Sequence, residues 1–321
     1  MRRAIVVFPH SGLHGALTDR QRRWMSRGRV RLKPVASEPL NDVLLEIGMP
    51  CVSSGLAALR FLGHTGQSAE SWIAAADPVS FEPRLRDIVA RRIPPGQLAD
   101  SDLPSLIAAA QEMFVDEYGI EFECMGNLGY LKSTDSMSTS KISATALHGF
   151  GPDAYLPAGD TGRSFHRIHG ELQMLFHDHA VNRQRAEQGL PPINGLWIWG
   201  GGRLPEKGQQ NLPTLFSNDP LFAGYWRYFG GDCRPWNGNI GECIDAARGT
   251  VVVTAPEPGN GVFDQAALEL LDELRDLLKY RRVTHFTLIF NNEVIADLRW
   301  SDRVRFWRHQ SVLNPEHEQN D

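Results

Sequence analysis

Side chains suited to binding an anion or a metal ion are concentrated in one short stretch of the chain. His177, His179, Asn182, Arg183 and Arg185 lie within nine residues. On a helix, His179, Asn182 and Arg183 share one face, because residues three and four apart are neighbours there. Buried Asn and Arg side chains need partners, so they either brace the backbone that follows or bind a ligand. Bracing is the commoner role, and the sequence alone leaves both open.

The elements that must position these side chains are a helix and the glycine-rich end of a strand. A stripe of 3.6-residue spacing predicts one long helix beginning at Arg163, with Gly189 as its C-cap. The members of the stripe are Ile168, Leu172, Leu175, Phe176 and His179. The apolar run 196–199, which follows shortly after Asn194, then predicts a buried strand. Three glycines end it and let the backbone approach a ligand closely: Gly200, Gly201 and Gly202.

Metal ligands and nucleophiles are less well represented. Two histidine pairs have chelating spacing, His166 with His169 and His10 with His14. No carboxylate at a matching helical spacing supplies a clear third ligand. Ser11 follows a strand beside His10, but it lacks the G-x-S-x-G context of an activated serine. The sequence therefore predicts no metal site and identifies no catalytic residue.

Composition restricts the classes of protein that fit. The chain has 321 residues and a net charge of −5, which argues against a nucleic-acid binder. No apolar run approaches 18 residues, and no charged segment leads into an apolar N-terminal region, so we expect neither membrane spanning nor secretion. We expect a cytoplasmic protein with reduced thiols. Cys233 and Cys243 are ten residues apart, and their pairing is left open.

Several short segments predict strands. Runs of β-branched residues at 4–8 and 250–255 are typical of buried strands. Residues 71–79 predict a strand that ends at Asp77, because Pro78 follows it. Residues 121–132 predict a strand or a hairpin. Residues 284–299, with Asn291-Asn292 at the turn, predict a second, C-terminal β-hairpin.

Helical patterns complete an α/β chain. Helices are predicted over 101–118 and 263–280, and on either side of a break at 48–50 with Pro50 near the start of the second. We expect a single α/β unit over residues 1–313, with room for an inserted subdomain, and a disordered tail over 314–321.

Two further segments have alternative interpretations. The Ser/Thr-rich segment 133–143 could surround a phosphate, but a solvated loop is the commoner structure for such a composition. The aromatic segment 221–229 predicts a short helix that could contact a protein partner.

The central stretch resembles a known family. The blocks HDHAVNRQR, GLPPIN and LWIWGGG are similar to bacterial regulatory proteins of the RpfE type, and to a block of the archaeal-type cofactor-independent phosphoglycerate mutases. Residues 76–79, 130–131 and 300–308 are similar to further blocks of that family in the same order. The resemblance implies an alkaline-phosphatase-like fold, with a mixed or parallel sheet flanked by helices.

The sequence also departs from the mutases where they bind metals. Ser80 stands where the family has His, and Ala180 where it has Pro. The first strand ends in Pro9-His10 without the metal-binding Asp, and residues 256–263 lack the Asp-x-x-x-His pattern. Two-metal phosphoryl transfer needs those ligands. The resemblance therefore implies the fold and a ligand pocket, but not the activity.

These observations lead to one main hypothesis. We expect a catalytically degenerate mutase relative with a regulatory role, binding a phosphorylated or anionic small molecule without a cofactor. Arg183 or Arg185 is the expected anion contact. The predicted pocket consists of Asp77, His179, Asn182, Arg183, Arg185, Asn194, Trp199, Gly200, Gly201 and Gly202.

Two alternatives stay open. The first is a working phosphomutase or phosphohydrolase that uses a divalent metal such as Mn²⁺ with His10, Asp77 and His179. The second is a protein-interaction module built on the aromatic helix, with Trp226 and Tyr228 as its contacts.

Overall fold

The chain forms two compact units. The computed structural model describes residues 2–9, 12–159, 162–208, 210–257, 259–291 and 294–305. One unit is discontinuous and consists of Met1–Pro50 and Gly208–Asp321, whereas the other is the continuous segment Cys51–Lys207. His10, Ser11 and the predicted tail 314–321 lie outside the described residues.

The described elements follow one another in three segments. Met1–Pro50 contains β1 (Arg3–Phe8), α1 (Leu13–Ala16), α2 (Asp19–Met25), β2 (Arg29–Leu32) and α3 (Pro39–Glu46). Cys51–Lys207 contains α4 (Leu56–Thr65), β3 (Trp72–Pro83), β4 (Ile88–Arg92), α5 (Asp102–Tyr118), β5 (Ile120–Met125), β6 (Leu128–Ser133), α6 (Ala144–Leu147), α7 (Arg163–His177), α8 (Ala180–Glu187) and β7 (Gly195–Gly202). Gly208–Asp321 contains β8 (Thr214–Phe216), α9 (Pro220–Tyr228), β9 (Cys233–Arg234), α10 (Ile240–Ala246), β10 (Thr250–Thr254), α11 (Gln265–Lys279), β11 (His285–Phe290), β12 (Val294–Arg299) and a 3-10 turn at Trp300–Val304.

A mixed sheet forms the core of the discontinuous unit. Its described strands run in the order β2-β12-β11-β1-β10-β8-β9. β1 pairs in parallel with β10 and β11, whereas β12 is antiparallel to β11 and β2. Ala4 to Phe8 are all buried, as expected for a parallel strand covered on both faces. The turn between β11 and β12 includes Asn292 and Glu293, which lie outside the described residues.

The continuous unit is organised around β3. This strand pairs antiparallel with β4, β6 and β7, and β6 pairs with β5. Because side chains alternate along a strand, β3 contributes to two cores. Ala74 and Ala76 belong to the core formed with α5, α7 and α8, whereas Ile73 packs with Ala58 and Phe61 of α4. The chain is therefore mixed α/β, as the sequence predicted.

The prediction of one continuous helix from Arg163 is wrong. α7 ends at His177, and α8 begins at Ala180. His179 is the N-cap of α8, and its Nδ1 accepts a hydrogen bond from the Val181 N–H at 3.3 Å. A side chain that caps a helix competes with continued helical backbone, so His179 does not extend the apolar stripe. Gly189 is left-handed, as a helix end requires, with φ 69°.

The prediction that a strand ends at Asp77 is also wrong. β3 continues through Pro78 to Pro83, so Asp77 lies in mid-strand and its carboxylate is buried rather than presented. Pro78 is tolerated because its missing N–H falls in a gap between two partners. β6 pairs with β3 only up to Ala75, and β4 pairs only from Val79 onward.

Other predicted helices lie where expected. The helix predicted over 101–118 is α5, and the one over 263–280 is α11, which Asp264 caps through the Ala267 N–H. The break at 48–50 separates α3 from α4, but α4 begins at Leu56 rather than near Pro50. No described helix is both long and apolar enough to cross a membrane.

Candidate functional site

The glycine-rich end of β7 is anchored by a buried ion pair. Arg60 of α4 donates to Asp77 Oδ1 at 2.6 Å, and the indole of Trp199 donates to Asp77 Oδ2 at 2.7 Å. Arg60 also donates to the Gly129 carbonyl at 2.7 Å, and its guanidinium lies 4.7 Å from the ring centroid of Tyr130. These contacts join α4 to β3, β6 and β7, and they fix the strand from which the glycines extend.

The segment 137–141 runs along the end of β7. The Gly200 N–H donates to the Ser140 carbonyl at 2.8 Å, and the Ser140 N–H donates to the Ile198 carbonyl at 3.2 Å. The Gly201 N–H donates to Thr139 Oγ1 at 2.9 Å. The Ser/Thr-rich segment is therefore tied to the strand end by main-chain and side-chain bonds.

Two of the glycines are required by this close approach. Gly200 has φ 63°, in the left-handed region that favours glycine. A Cβ on Gly201 would collide with the ring of Trp72 and would lie 2.8 Å from Thr139 Oγ1. Glycine at these positions lets β7, α4 and the Ser/Thr-rich segment meet.

A pocket of about 320 Å³ lies at this junction, near the lower limit for small-molecule sites. Hydroxyl groups dominate its polar lining, and they belong to Ser53, Ser54, Ser138, Thr139 and Ser140. Lys141, Gly200 and Gly201 also line it, and no acidic residue is among its described lining. Lys141 is exposed and has no ion pair within the described residues. We refer to this site as the hydroxyl pocket.

The hydroxyl pocket also borders the start of α4. Ser53 and Ser54 directly precede Gly55, the N-cap of this ten-residue helix. A helix N-terminus carries a partial positive charge and unpaired N–H groups. Together with Lys141 and the hydroxyl donors, this arrangement suits a small anion, because every polar side chain that lines the pocket can donate a hydrogen bond or carries positive charge.

Asn182 braces the backbone rather than lining the hydroxyl pocket. Its Nδ2 donates to the Phe176 carbonyl at 2.7 Å and to the Ile193 carbonyl at 2.9 Å. Its Oδ1 accepts from the Ile193 N–H at 2.8 Å. Arg183 is exposed and donates to the Asp178 carbonyl. Of the two roles that the sequence left open, the contacts of Asn182 match the bracing role.

Arg185 is almost fully buried and binds several partners in the same region. It donates to the carbonyls of Pro191 at 2.9 Å and Gln97 at 2.7 Å, and it forms an ion pair with Asp102 at 2.6 Å. Asn194 pairs with the main chain of Phe81 in both directions, at 2.7 and 3.0 Å. The side chain of Asn194 thus acts as an extra strand partner for β3.

The structure therefore separates the predicted pocket residues into three groups. Gly200 and Gly201 line the hydroxyl pocket, and Gly202 follows them at the end of β7. Asp77 and Trp199 form the buried anchor beneath it. The other five predicted residues do not line it: His179, Asn182, Arg183, Arg185 and Asn194. Their role in ligand binding stays a prediction.

Sequence reasoning missed several residues of this site. Arg60 was not singled out, because an arginine inside an apolar helix gives no local sign of its partner. Lys141 belongs to the Ser/Thr-rich segment, whose composition by itself favours a solvated loop over a phosphate site. The signal that could have favoured the phosphate interpretation is the lysine at the end of the hydroxyl run.

The histidines of chelating spacing differ in environment. His169 stacks on Phe165 at 5.8 Å and meets the edge of Phe81 at 5.1 Å. Burial, with a smaller contribution from His166, lowers the pKa of His169 to about 4. The ring nitrogen Nε2 of His166 lies 2.8 Å from the Pro157 carbonyl. Within the described ranges, no three His, Cys, Asp or Glu side chains are grouped to hold one metal ion.

Two other predictions can be compared with the structure. The cysteines at 51, 124, 233 and 243 are all free thiols, so Cys233 and Cys243 form no disulfide. α9 begins after Asp219, which caps it through the Leu221 and Phe222 N–H groups. Trp226 of this aromatic helix is fully buried, so it is not available as a partner contact.

Comparisons with known proteins give a local similarity. No family model matches the sequence. The chain is 37% identical over 54 residues to a 2,3-bisphosphoglycerate-independent phosphoglycerate mutase of Methanosarcina mazei, and 39% identical over 51 residues to that of Methanothrix thermoacetophila. The first match spans 17% of this chain and 14% of the relative, and the second spans 16% and 13%.

Two solved structures are similar over most of the chain. A cofactor-independent phosphoglycerate mutase from Thermoplasma acidophilum has a TM-score of 0.39 and 16% identity, covering 92% of this chain and 89% of that one. The PH0037 protein from Pyrococcus horikoshii has a TM-score of 0.44 and 12% identity, covering 89% and 81%. TM-scores in this range do not define a fold, and the mixed α/β architecture rests on the strand pairing. The sequence matches show weak, local homology to the cofactor-independent phosphoglycerate mutases.

Proposed function

We propose that this protein is a catalytically degenerate relative of the phosphoglycerate mutases that regulates by binding a phosphorylated small molecule in the hydroxyl pocket. The observation that carries the proposal is the lining of that pocket, which combines five hydroxyl-bearing residues and Lys141 and includes no described acidic residue. The local homology to enzymes named for a phosphorylated three-carbon acid supports the choice of ligand class. The RpfE-type resemblance supports the regulatory part.

The pocket can recognise a phosphate group through short donors. Hydroxyl groups and main-chain N–H groups donate to phosphate oxygens, and an ammonium group neutralises their charge. Ser53 and Ser54 approach from the start of α4, and Lys141 from the segment along β7. The glycine at 201 keeps that wall free of side chain. Together these groups would bind and orient the phosphate without needing a metal.

The degenerate part of the proposal rests on residue identities. Ser80, where the mutases have His, is 1% exposed in mid-β3, and its hydroxyl has no hydrogen-bond partner among the described residues. The first strand, β1, ends at Phe8 and is followed by Pro9 rather than by Asp. The described donors do not fit a metal site of three or more ligands, so no catalytic step is assigned through a metal.

Calorimetric titration of the full chain with 3-phosphoglycerate tests the binding. We expect the wild-type protein to bind and Lys141→Gln to bind about tenfold more weakly, because one charge-assisted contact is lost. Arg86→Gln is the matched control, since Arg86 is exposed in the same unit, lies outside the pocket and loses the same charge. No wild-type binding at millimolar ligand, or an equal loss in the control, would refute the proposal.

A turnover assay with phosphoglycerate and added Mn²⁺ tests the degenerate part separately. We expect no turnover above background. Turnover that His179→Ala abolishes would instead establish the alternative, a metal-dependent phosphomutase or phosphohydrolase. Binding and turnover are measured on the same preparation, so a failure of one does not obscure the other.

A further inference from the structure

The discontinuous unit contains a second pocket, of about 350 Å³, that is strongly basic. Seven of its twelve lining residues are Arg or Lys, and one, Asp302, is acidic. Arg20, Arg23 and Arg27 come from α2 and the turn after it, whereas Arg303 comes from the 3-10 turn after β12. We call this site the arginine pocket. Its positive charge contrasts with the net charge of −5 of the whole chain.

Nearby acids neutralise only part of this charge. Arg275 forms ion pairs with Asp272 at 2.6 Å and Asp276 at 3.2 Å. Asp302, the acidic lining residue, is itself held by Arg305 at 3.0 Å. Arg20 and Arg23 have no ion pair with an acid in the parts of the chain that the structure describes. No acid among the described residues therefore competes with an incoming anion for these two guanidinium groups.

The C-terminal ends of two helices account for part of the positive charge in this pocket, but only for a small part. α2 ends at Met25 and α11 ends at Lys279, and both ends border the pocket. A helix C-terminus carries about half a negative charge, so two of them offset about one cation. The remaining cations exceed what the helix ends require.

The floor of the arginine pocket is apolar. Leu278 and Leu298 are buried, and Trp24 and Trp300 complete the floor. The Arg303 guanidinium lies 3.5 Å from the ring centroid of Trp300, which fixes its position by a cation–π contact. Cations around an apolar floor suit a ligand with several negative charges and an uncharged organic part.

We propose that the arginine pocket binds a small organic polyphosphate, a molecule with two or more linked phosphates on an apolar or aromatic body. Guanidinium groups match phosphate oxygens in geometry and charge, and here they come both from α2 and from the 3-10 turn after β12, so they can contact more than one phosphate. The pocket volume of about 350 Å³ suits a small molecule, and the overall negative charge of the protein disfavours a long nucleic-acid backbone. This site lies in a different unit from the hydroxyl pocket and does not depend on its function.

Calorimetric titration of the full chain with adenosine triphosphate, inorganic tripolyphosphate and sulfate, at matched ionic strength, tests the proposal. We expect both polyphosphates to bind at least tenfold tighter than sulfate, and the nucleotide to bind tighter than tripolyphosphate because of the apolar floor. Arg23→Ala and Arg303→Ala should each weaken binding by about tenfold. Raising the salt concentration should weaken it further.

Arg248→Ala is the matched control, because Arg248 is exposed in the same unit and does not line the pocket. Thermal unfolding without ligand checks that each variant is folded, and Arg23, which is exposed, provides a second variant if Arg303→Ala unfolds. Three outcomes would overturn the proposal. They are polyphosphate binding no tighter than sulfate, an equal loss in Arg248→Ala, and tighter binding of a single-stranded oligonucleotide than of the nucleotide.

Discussion

Replacing Asp77 by alanine tests how the continuous unit is held together. Asp77 accepts hydrogen bonds from Arg60 at 2.6 Å and from the indole of Trp199 at 2.7 Å. The side chains of Arg60 and Asp77 are only 5% and 8% exposed, so water cannot replace the lost carboxylate. Removing one partner of a buried ion pair costs about 3–5 kcal/mol. That loss is a large part of the free energy of unfolding of a domain, which is roughly 5–15 kcal/mol.

The same strand offers a matched control. Glu82, also on β3, forms an ion pair with Arg91 at 2.5 Å, but these side chains are 38% and 42% exposed. An exposed pair contributes about 0–1 kcal/mol, so Glu82→Ala should lose far less stability than Asp77→Ala. The two variants remove a carboxylate from one strand and differ chiefly in its burial.

Urea unfolding followed by tryptophan fluorescence measures both free energies. Asp77→Ala should lower the free energy of unfolding by about 3–5 kcal/mol, and the double variant Arg60→Met, Asp77→Ala should recover part of that loss because it removes the isolated charge. If Asp77→Ala lowered the free energy of unfolding no more than Glu82→Ala does, the buried ion pair would not anchor the strand. Measuring the single variant Arg60→Met completes the cycle, and a double variant that lost the sum of the two single losses would show that the two side chains act independently.

Three further predictions follow from burial and close contact. The pKa of His169 is about 6.5 in the unfolded chain and about 4 in the folded chain. The folded chain therefore binds fewer protons between these pH values. The contribution of His169 to the free energy of unfolding is complete above about pH 6.5 and is lost as the pH falls towards 4. Urea unfolding should show a free energy of unfolding that is lower at pH 4.5 than at pH 7.5 by up to about 3 kcal/mol. His169→Leu should remove this difference, and an unchanged pH dependence of the free energy of unfolding in that variant would contradict the assignment. Burial raises the pKa of Cys243 to about 11, so iodoacetamide at pH 8 should alkylate the exposed Cys51 at least tenfold faster than Cys243. Equal alkylation rates of the two cysteines in the native protein would show that Cys243 is accessible. Gly201→Ala should cost about 1–3 kcal/mol through overpacking, whereas Gly170→Ala, in open space within α7, should gain about 0.5–1 kcal/mol, and thermal unfolding that ranked the two variants equally would refute the close contact.

Local patterns were sufficient to identify most elements of this protein. The strands at Arg3–Phe8 and Thr250–Thr254 and the helices at Asp102–Tyr118 and Gln265–Lys279 match the predicted segments. Their signals are hydrophobic period, capping residues and breaking glycines, all of which act within a few residues. The mixed α/β class followed from these elements. The weak similarity to the phosphoglycerate mutases could also be recognised from short blocks of residues.

Only the tertiary structure determined which partners the polar residues bind. The single helix predicted from Arg163 breaks because His179 caps α8, and β3 passes through Pro78 because its neighbours leave a gap there. Asp77 binds Arg60, seventeen residues away, and Trp199, 122 residues away. No local pattern encodes such distant partners, because hydrogen bonding and burial depend on which elements meet. The hydroxyl pocket likewise exists only where the start of α4, the Ser/Thr-rich segment and the glycines of β7 come together.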